Sequence, residues 1–314
     1  EKKGSAVYSI LKTLLFCPFR YDLLIPYLQN ELIAAGILGI ARRIPFIYFS
    51  LEIVDADRTK DLIGRVKKSL EISLNKRAVF TVVQDETRKD LIANLHNIDR
   101  DHIFKVPNSY VGSKPERSHY LRERFGIPDN KKVVLYAGAI EAWALDEQII
   151  KAVEGWGDDF VLIMHGFSRD DYVQELKPLI KEVNLHGPKL ILSLDVLNEE
   201  EYFNLVASAD IGLVWYKKDL PDNVTNIGLS SGKLAAFLRC GLPVVIPSHL
   251  KGIREYAEGS GFGVAVSDES EIELALDMIA NNYASYRENA FRFFSDYLDY
   301  ENCFRAILAE IDSL

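Results

Sequence analysis

The sequence is poor in cysteine. It has three among 314 residues, Cys17, Cys240 and Cys303, with no CxxC or CxxH spacing. That excludes a disulfide framework and a structural zinc, and a reducing, cytoplasmic compartment is the expectation. Long apolar runs are missing as well. No window reaches the roughly 18 uninterrupted apolar residues of a spanning helix. The most apolar early stretch, residues 23–40, carries Gln29, Asn30 and Glu31 in its middle. The opening Glu1-Lys2-Lys3-Gly4 leads into a short amphipathic run without a clear small-residue cleavage site, so no secretory leader is read there. No His/Asp cluster suggests a metal, and no carboxylates stand at glycosidase-type positions.

What is present is globular. Hydrophobic residues make up 48% and charged residues 26%, enough apolar surface to offset chain entropy over about two domains. The net charge of -9 is uneven. Residues 1–114 hold 18 Lys+Arg against 13 Asp+Glu, a balance of +5; the remainder holds 19 against 33, a balance of -14. Nucleic acid is a poor partner for the acidic part. The basic part could face an anionic membrane surface or an anionic substrate, or be solvated surface with chance asymmetry.

Apolar runs alternate with helical patterns. Strands are expected at 21–25, 45–50, 78–83 and 102–106, with helices over 30–43, 59–76 and from Asp85. In the second helix Leu62, Val66, Leu70 and Leu74 share one face. Gly112, Ser113, Pro115, Pro128, Asp129 and Asn130 mark a loop-rich stretch over 110–132, where the domain boundary is placed. A second alternation follows, with strands at 133–136, 160–164, 190–194, 211–216, 243–246 and 263–266. Helices fill the gaps at 146–154, 171–183, 199–207, 232–239, 253–258 and 270–280, and an aromatic-rich helical end covers 283–314. The acid pairs Asp158-Asp159 and Asp170-Asp171 read as turn and helix-start charges, and Glu199-Glu200-Glu201 as a helix first turn. Doubly apolar strands alternating with helices mean α/β architecture: two Rossmann-like, doubly wound domains facing a cleft, the first partial or small. The expected division is 1–112, 113–282, and terminal helices over 283–314.

The chemistry-bearing stretch runs from Asn226 to Val245. A helix opening at Ser230-Ser231-Gly232 presents unbonded N–H groups and the positive dipole end; Gly232 lets an anion approach, and Lys233 adds a full charge. The same residues also suit a plain Ser-capped helix with a solvated lysine. His165 stands at a strand end, as a donor contact or as a hydrogen-bonded strand-end histidine. Glu52 follows the strand at 45–50, as a group that orients or deprotonates a hydroxyl or as a loop carboxylate beside Asp55 and Asp57.

This stretch resembles the diphosphate-binding segment of GT-B glycosyltransferases, of the form S-x-K-L-x-x-Y-L-x-x-G-x-P-V-I, matched at Lys233, Leu234, Leu238, Gly241, Pro243 and Val244. Val133 to Ile140 resembles the opening strand and glycine turn of that donor domain, at Gly138, and Trp143 with Asp146 resembles its W-x-x-D variant. Residues 160–166 resemble its second strand, ending at His165-Gly166, and Ala209-Asp210-Ile211-Gly212-Leu213 its A-D-I-G-L opening. Residues 80–88, followed by Val106-Pro107-Asn108-Ser109, resemble the end of the acceptor domain. The resemblance, to retaining family 4-like or group 1 members, covers residues 21–314 and implies a chain beginning inside its N-terminal domain. It departs from the pattern at Ala236, where many members carry a ribose-binding Glu, and at Ala139 and Trp143, where many carry a basic pair.

The resemblance implies a glycosyltransferase using a UDP- or GDP-linked sugar, without metal or other cofactor, on a glycan or lipid-linked acceptor in surface polysaccharide synthesis. Its expected donor-binding residues are Gly138, His165, Gly166, the backbone near Val196, Ser230, Ser231, Gly232 and Lys233; Lys233 and Glu52 are the catalytic candidates. Peripheral contact with the inner face of a membrane, through the basic first part, is a further expectation. It also implies that the last helix crosses back to the N-terminal domain, with a hinge near residues 108–114. A non-catalytic GT-B-like binding protein and a nucleotide-sugar 2-epimerase are the alternatives.

Overall fold

A parallel strand covered on both faces needs apolar side chains in both directions. In the strand containing Val133 to Tyr136, Val133 and Leu135 enter one core cluster while Val134 and Tyr136 enter the other. The computed structural model describes residues 20–53, 61–112, 114–145, 147–168, 171–218, 220 and 222–314, together with Lys12 and Phe16. Cys17, Asp55, Asp57, Ser113, Asp146, Asp170 and the expected helix start at Thr59 lie outside the described residues. The chain divides into two units, Glu1–Pro107 with Cys303–Leu314, and Asn108–Asn302.

The first unit holds a parallel sheet in the order β1 (Tyr48–Phe49), β2 (Thr81–Val83), β3 (Ile103–Lys105). The strand expected at 21–25 is reduced to a single bridge between Leu24 and Phe46. Its chain does run beside β1, with Ile47 N–H donating to Leu24 O at 3.0 Å and Phe49 N–H to Pro26 O at 2.9 Å. Pro26 has no N–H to carry the ladder on. Helices Gln29–Arg42, Leu62–Asn75 and Glu86–His96 accompany the sheet. Phe304, on the last helix Tyr300–Asp312, packs against Phe49, which also meets Tyr27.

The Leu62–Asn75 helix is turned inside out. Its buried side is polar: Lys68, Glu71 and Asn75 point inward with Leu74, while Leu62, Ile63, Val66 and Leu70 are exposed. The interior accepts the charges because each has a partner. Glu71 takes hydrogen bonds from Lys68 Nζ at 3.1 Å, Tyr48 Oη at 3.2 Å and Gln29 Nε2 at 2.6 Å. His96 lies between Lys68 Nζ, at 3.2 Å, and Asn75 Nδ2, at 2.8 Å; burial and the Lys68 charge push its pKa down to about 3, so it is neutral.

The second unit is a six-stranded parallel sheet: β4 (Lys132–Ala139), β5 (Phe160–Phe167), β6 (Leu190–Ser193), β7 (Ile211–Leu213), β8 (Val244–Pro247) and β9 (Gly263–Val266). The order is β6-β5-β4-β7-β8-β9, the doubly wound Rossmann order. Asp210 fixes the base of β7 to β4. Its carboxylate accepts from Val133 N–H at 2.8 Å, Arg117 at 2.6 Å and Arg122 at 3.0 Å. The loop stretch 110–132 contains a helix, Tyr120–Phe125, absent from the sequence expectation. It is too short to show periodicity, and tertiary contacts hold it: Leu121 is buried, and its N–H donates to Ser208 Oγ at 3.2 Å.

The division falls at Pro107/Asn108 rather than at 112, because Asn108 N–H already donates to Leu229 O at 3.1 Å. The aromatic end also splits. Phe293, Phe294 and Leu298 join the second unit's core, and only the chain from Cys303 onward belongs to the first unit. Among the described residues no helix is long and apolar enough to cross a membrane.

Glu71→Ala should destabilise the first unit by about 3–5 kcal/mol, since it strands a buried Lys68 charge. Urea unfolding checks this; an unchanged midpoint would show that the pair contributes nothing.

Candidate functional site

In a doubly wound sheet the crevice for a ligand opens at the carboxyl ends of the strands, where the winding reverses. Here that point lies between β4 and β7. β4 contributes Tyr136 and Gly138 at its carboxyl end, and the chain leaving β7 contributes Trp215 and Tyr216. The helix Gly232–Arg239 brings in Lys233. Its Nζ lies 4.4 Å from the Tyr136 ring centroid and 4.2 Å from that of Tyr216, and donates to Trp215 O at 3.4 Å.

No carboxylate among the described residues pairs with this ammonium. The residue as a whole is partly buried, but its Nζ is packed between the rings, and burial pushes its pKa from 10.5 down to about 7. The ring faces compensate only part of the lost hydration. An arriving anion would complete the compensation.

Gly138 keeps the place beside Lys233 open, and Gly166 lets β5 close on β4. A Cβ at Gly138, where φ is +154°, would lie 3.2 Å from Lys233 Nζ. Gly138 pairs with Gly166 on β5, and a Cβ at Gly166 would fall 1.7 Å from Gly138 O. The two backbones therefore approach as only glycine allows.

The serines serve the fold. Ser231 caps the helix, accepting from Leu234 N–H at 3.4 Å, with Tyr216 Oη also 3.4 Å from its hydroxyl. Ser230 Oγ donates to Ile227 O. What remains toward a ligand is the backbone: the N–H groups of Gly232 and Lys233 open the helix and have no carbonyl within it. Asn108 and Tyr110 approach this turn; Asn108 Nδ2 donates to Ser230 O at 3.2 Å.

His165 is held elsewhere. Strand alternation separates it from Gly166, and its Nδ1 lies 3.0 Å from Ser193 Oγ, which bonds Asp195 at 3.4 Å, itself paired with Arg124 at 2.5 Å. Burial lowers its pKa, with the Asp195 charge opposing, so the ring is neutral at neutral pH. Val196 is 99% exposed in the loop after β6. Ala236 is buried in the core, and Trp143 is half exposed with its Nε1 donating to Glu141. Glu52 is exposed, two residues beyond the expected strand and just past β1, in the first unit.

The structure thus brings together Gly138, Gly166, Ser230, Ser231, Gly232 and Lys233. Sequence reasoning missed Tyr136, Trp215 and Tyr216. Their signal was aromatics at the last positions of two expected strands, and their role depends on which strands are neighbours. A cavity of about 700 Å³ opens in the first unit among Arg20, Arg42, Arg43, Ile44 and Leu314. It lies before β1, at the amino side, away from the strand ends where such folds bind ligands. Among the described residues no group of three or more His, Cys, Asp or Glu converges to hold a metal ion.

No described protein family matches the chain by sequence, and no curated protein does. Solved structures do match. Anabaena HepE in complex with UDP-glucose superposes with a TM-score of 0.74 at 18% identity, over 100% of this chain and 84% of that one. Sucrose-phosphate synthase from Thermosynechococcus elongatus gives 0.69 at 16%, over 100% and 80%. A UDP-N-acetylglucosamine 2-epimerase gives 0.63 at 15%, over 98% and 77%. The two parallel α/β units are those of the GT-B fold, which these structures share.

Lys233 links stability to pH. Below about 7 both folded and unfolded chains carry its charge, and burial costs stability in full; between about 7 and 10.5 only the unfolded chain holds the proton, and the cost is relieved. The stability of the native protein relative to Lys233→Met should therefore rise from pH 6 to pH 9, by at most about 1.4 kcal/mol per pH unit. Parallel urea titrations at several pH values check this; a flat difference would mean the ammonium is hydrated.

Proposed function

We propose that the protein is a glycosyltransferase that moves a sugar from a nucleoside diphosphate to a glycan or lipid-linked acceptor. The observation that carries this reading is the Lys233 ammonium, buried between Tyr136 and Tyr216 with no carboxylate partner among the described residues, at the winding reversal of a Rossmann sheet. Among the described residues this site has no anion. The helix start at Gly232 supplies N–H groups beside it, and Gly138 leaves room beside the ammonium where a Cβ would stand. A diphosphate meets each of these needs. HepE in complex with UDP-glucose, on the same fold, supports a UDP-linked sugar as the donor.

In the transfer, the bond from the anomeric carbon to the diphosphate oxygen breaks and one to the acceptor oxygen forms. Negative charge grows on the leaving diphosphate, where Lys233 and the N–H groups of Gly232 and Lys233 oppose it. Charge neutralisation by these groups supports transfer without a resident metal. The acceptor hydroxyl gives up its proton to the departing diphosphate oxygen; Glu52, exposed past β1 in the first unit, is the carboxylate proposed to orient that hydroxyl. Ser230 and Ser231 act by shaping the helix start, and His165 by bracing β5 against β6. The exposed backbone at Val196 is the assigned neighbour of the nucleobase. Peripheral membrane contact belongs to this reading for a lipid-linked acceptor.

UDP, GDP and their sugar conjugates should be screened for a thermal shift, with and without EDTA. One diphosphate is expected to raise Tm insensitively to EDTA. Lys233→Ala should abolish that shift and lower turnover at least about tenfold with unchanged circular dichroism. Near-normal turnover would remove Lys233 from the mechanism. Product formed with no acceptor present would favour a 2-epimerase, and no shift with any nucleotide a non-catalytic member.

A further inference from the structure

The helix Leu62–Asn75 exposes the side that a globular helix ordinarily hides. Leu62 is 77% exposed, Ile63 67%, Val66 52% and Leu70 39%. At 100° per residue these four fall within one arc of about 100°. The opposite arc holds Lys68, Glu71 and Asn75, buried and fully partnered. The apolar side cannot be turned inward without stranding those charges, so its exposure is built into the unit. Such a stripe marks a surface that something covers.

The charges around the stripe identify the cover. Arg65 and Lys76 border it on one flank, both exposed, with Arg77 just beyond; Lys67 lies on the other flank, bonded to Asn30 at 3.0 Å. Over residues 61–77 the two carboxylates are Asp61, which caps the helix through Gly64 N–H, and Glu71, which is buried against Lys68. An apolar strip edged by cations, on a helix of about 21 Å, is complementary to an anionic lipid surface: acyl chains for the leucines, phosphates for the basic side chains.

We propose that this helix lies in the interface of an anionic membrane, with Leu62, Ile63, Val66 and Leu70 below the headgroups and Arg65 and Lys76 at their phosphates. The surface belongs to the first unit and makes no use of Lys233. Its fate is therefore separable from the donor chemistry, although it deepens the membrane contact proposed above.

The test is co-sedimentation of the full chain with vesicles of equal phosphatidylglycerol and phosphatidylcholine, and with phosphatidylcholine alone. Binding to the anionic vesicles is expected, falling with added salt. Leu62→Ser with Val66→Ser, at exposed positions, should weaken it at least about tenfold. Arg65→Gln with Lys76→Gln should remove the preference for phosphatidylglycerol. A retained thermal shift with UDP in these variants would show that folding and the donor site survive. The proposal is overturned if the native chain stays in the supernatant with anionic vesicles, or if the serine variant sediments equally. It also fails if sedimentation velocity shows a dimer that the serine variant splits into monomers, for the cover would then be a second copy of the chain.

Discussion

A single ammonium group, held against two aromatic rings where the strands of a parallel sheet reverse their winding, is the constraint around which the second unit is organised. Tyr136 and Gly138 reach it from β4, Trp215 and Tyr216 from the end of β7, and Lys233 from the helix that follows. These residues meet only because β4 pairs with β7 on one side and β5 on the other. The arrangement keeps a charge poorly hydrated and places unbonded helix N–H groups beside it.

The other buried charges make an instructive contrast. Asp210 is saturated by two arginines and a backbone N–H, and it fastens the bases of β4 and β7. Glu71 is saturated by Lys68, Tyr48 and Gln29, and His165 is tied through Ser193 toward Asp195. These closed networks hold the units in shape, and each residue in them could have been mistaken for a site. Lys233 differs in having rings and one carbonyl about it and no counter-charge among the described residues. A buried polar group is costly when unmatched.

Much of the fold was legible in the residues. The helices Glu199–Ala207 and Gly232–Arg239 run over the expected ranges; Asn198 and Ser231 accept from backbone N–H groups at their starts, and Gly241, just past the second, takes a φ of +70°. The segment around Lys233, and the glycines at 138 and 166, were legible because each is written in local residue types. The aromatic partners were not. Tyr136 and Tyr216 are eighty residues apart in sequence, and nothing local says that their strands become neighbours. Tyr120–Phe125 escaped notice for a similar reason, a short helix being held by what it packs on rather than by its own period.

The helix at 62–75 separates the two kinds of information most clearly. Its sequence determined that Leu62, Val66 and Leu70 would share a side, because the 3.6-residue period is a property of the backbone alone. It also determined the α/β alternation and the phosphate-suited helix start, which rest on local spacing and capping. Which side of that helix faced inward was decided by tertiary structure, where Tyr48, Gln29 and His96 offered partners that made burying Lys68 and Glu71 affordable. Tertiary structure likewise decided that Lys233 stands between two rings with no carboxylate partner among the described residues, since pairing and solvent access belong to the assembled sheet and no single segment carries them.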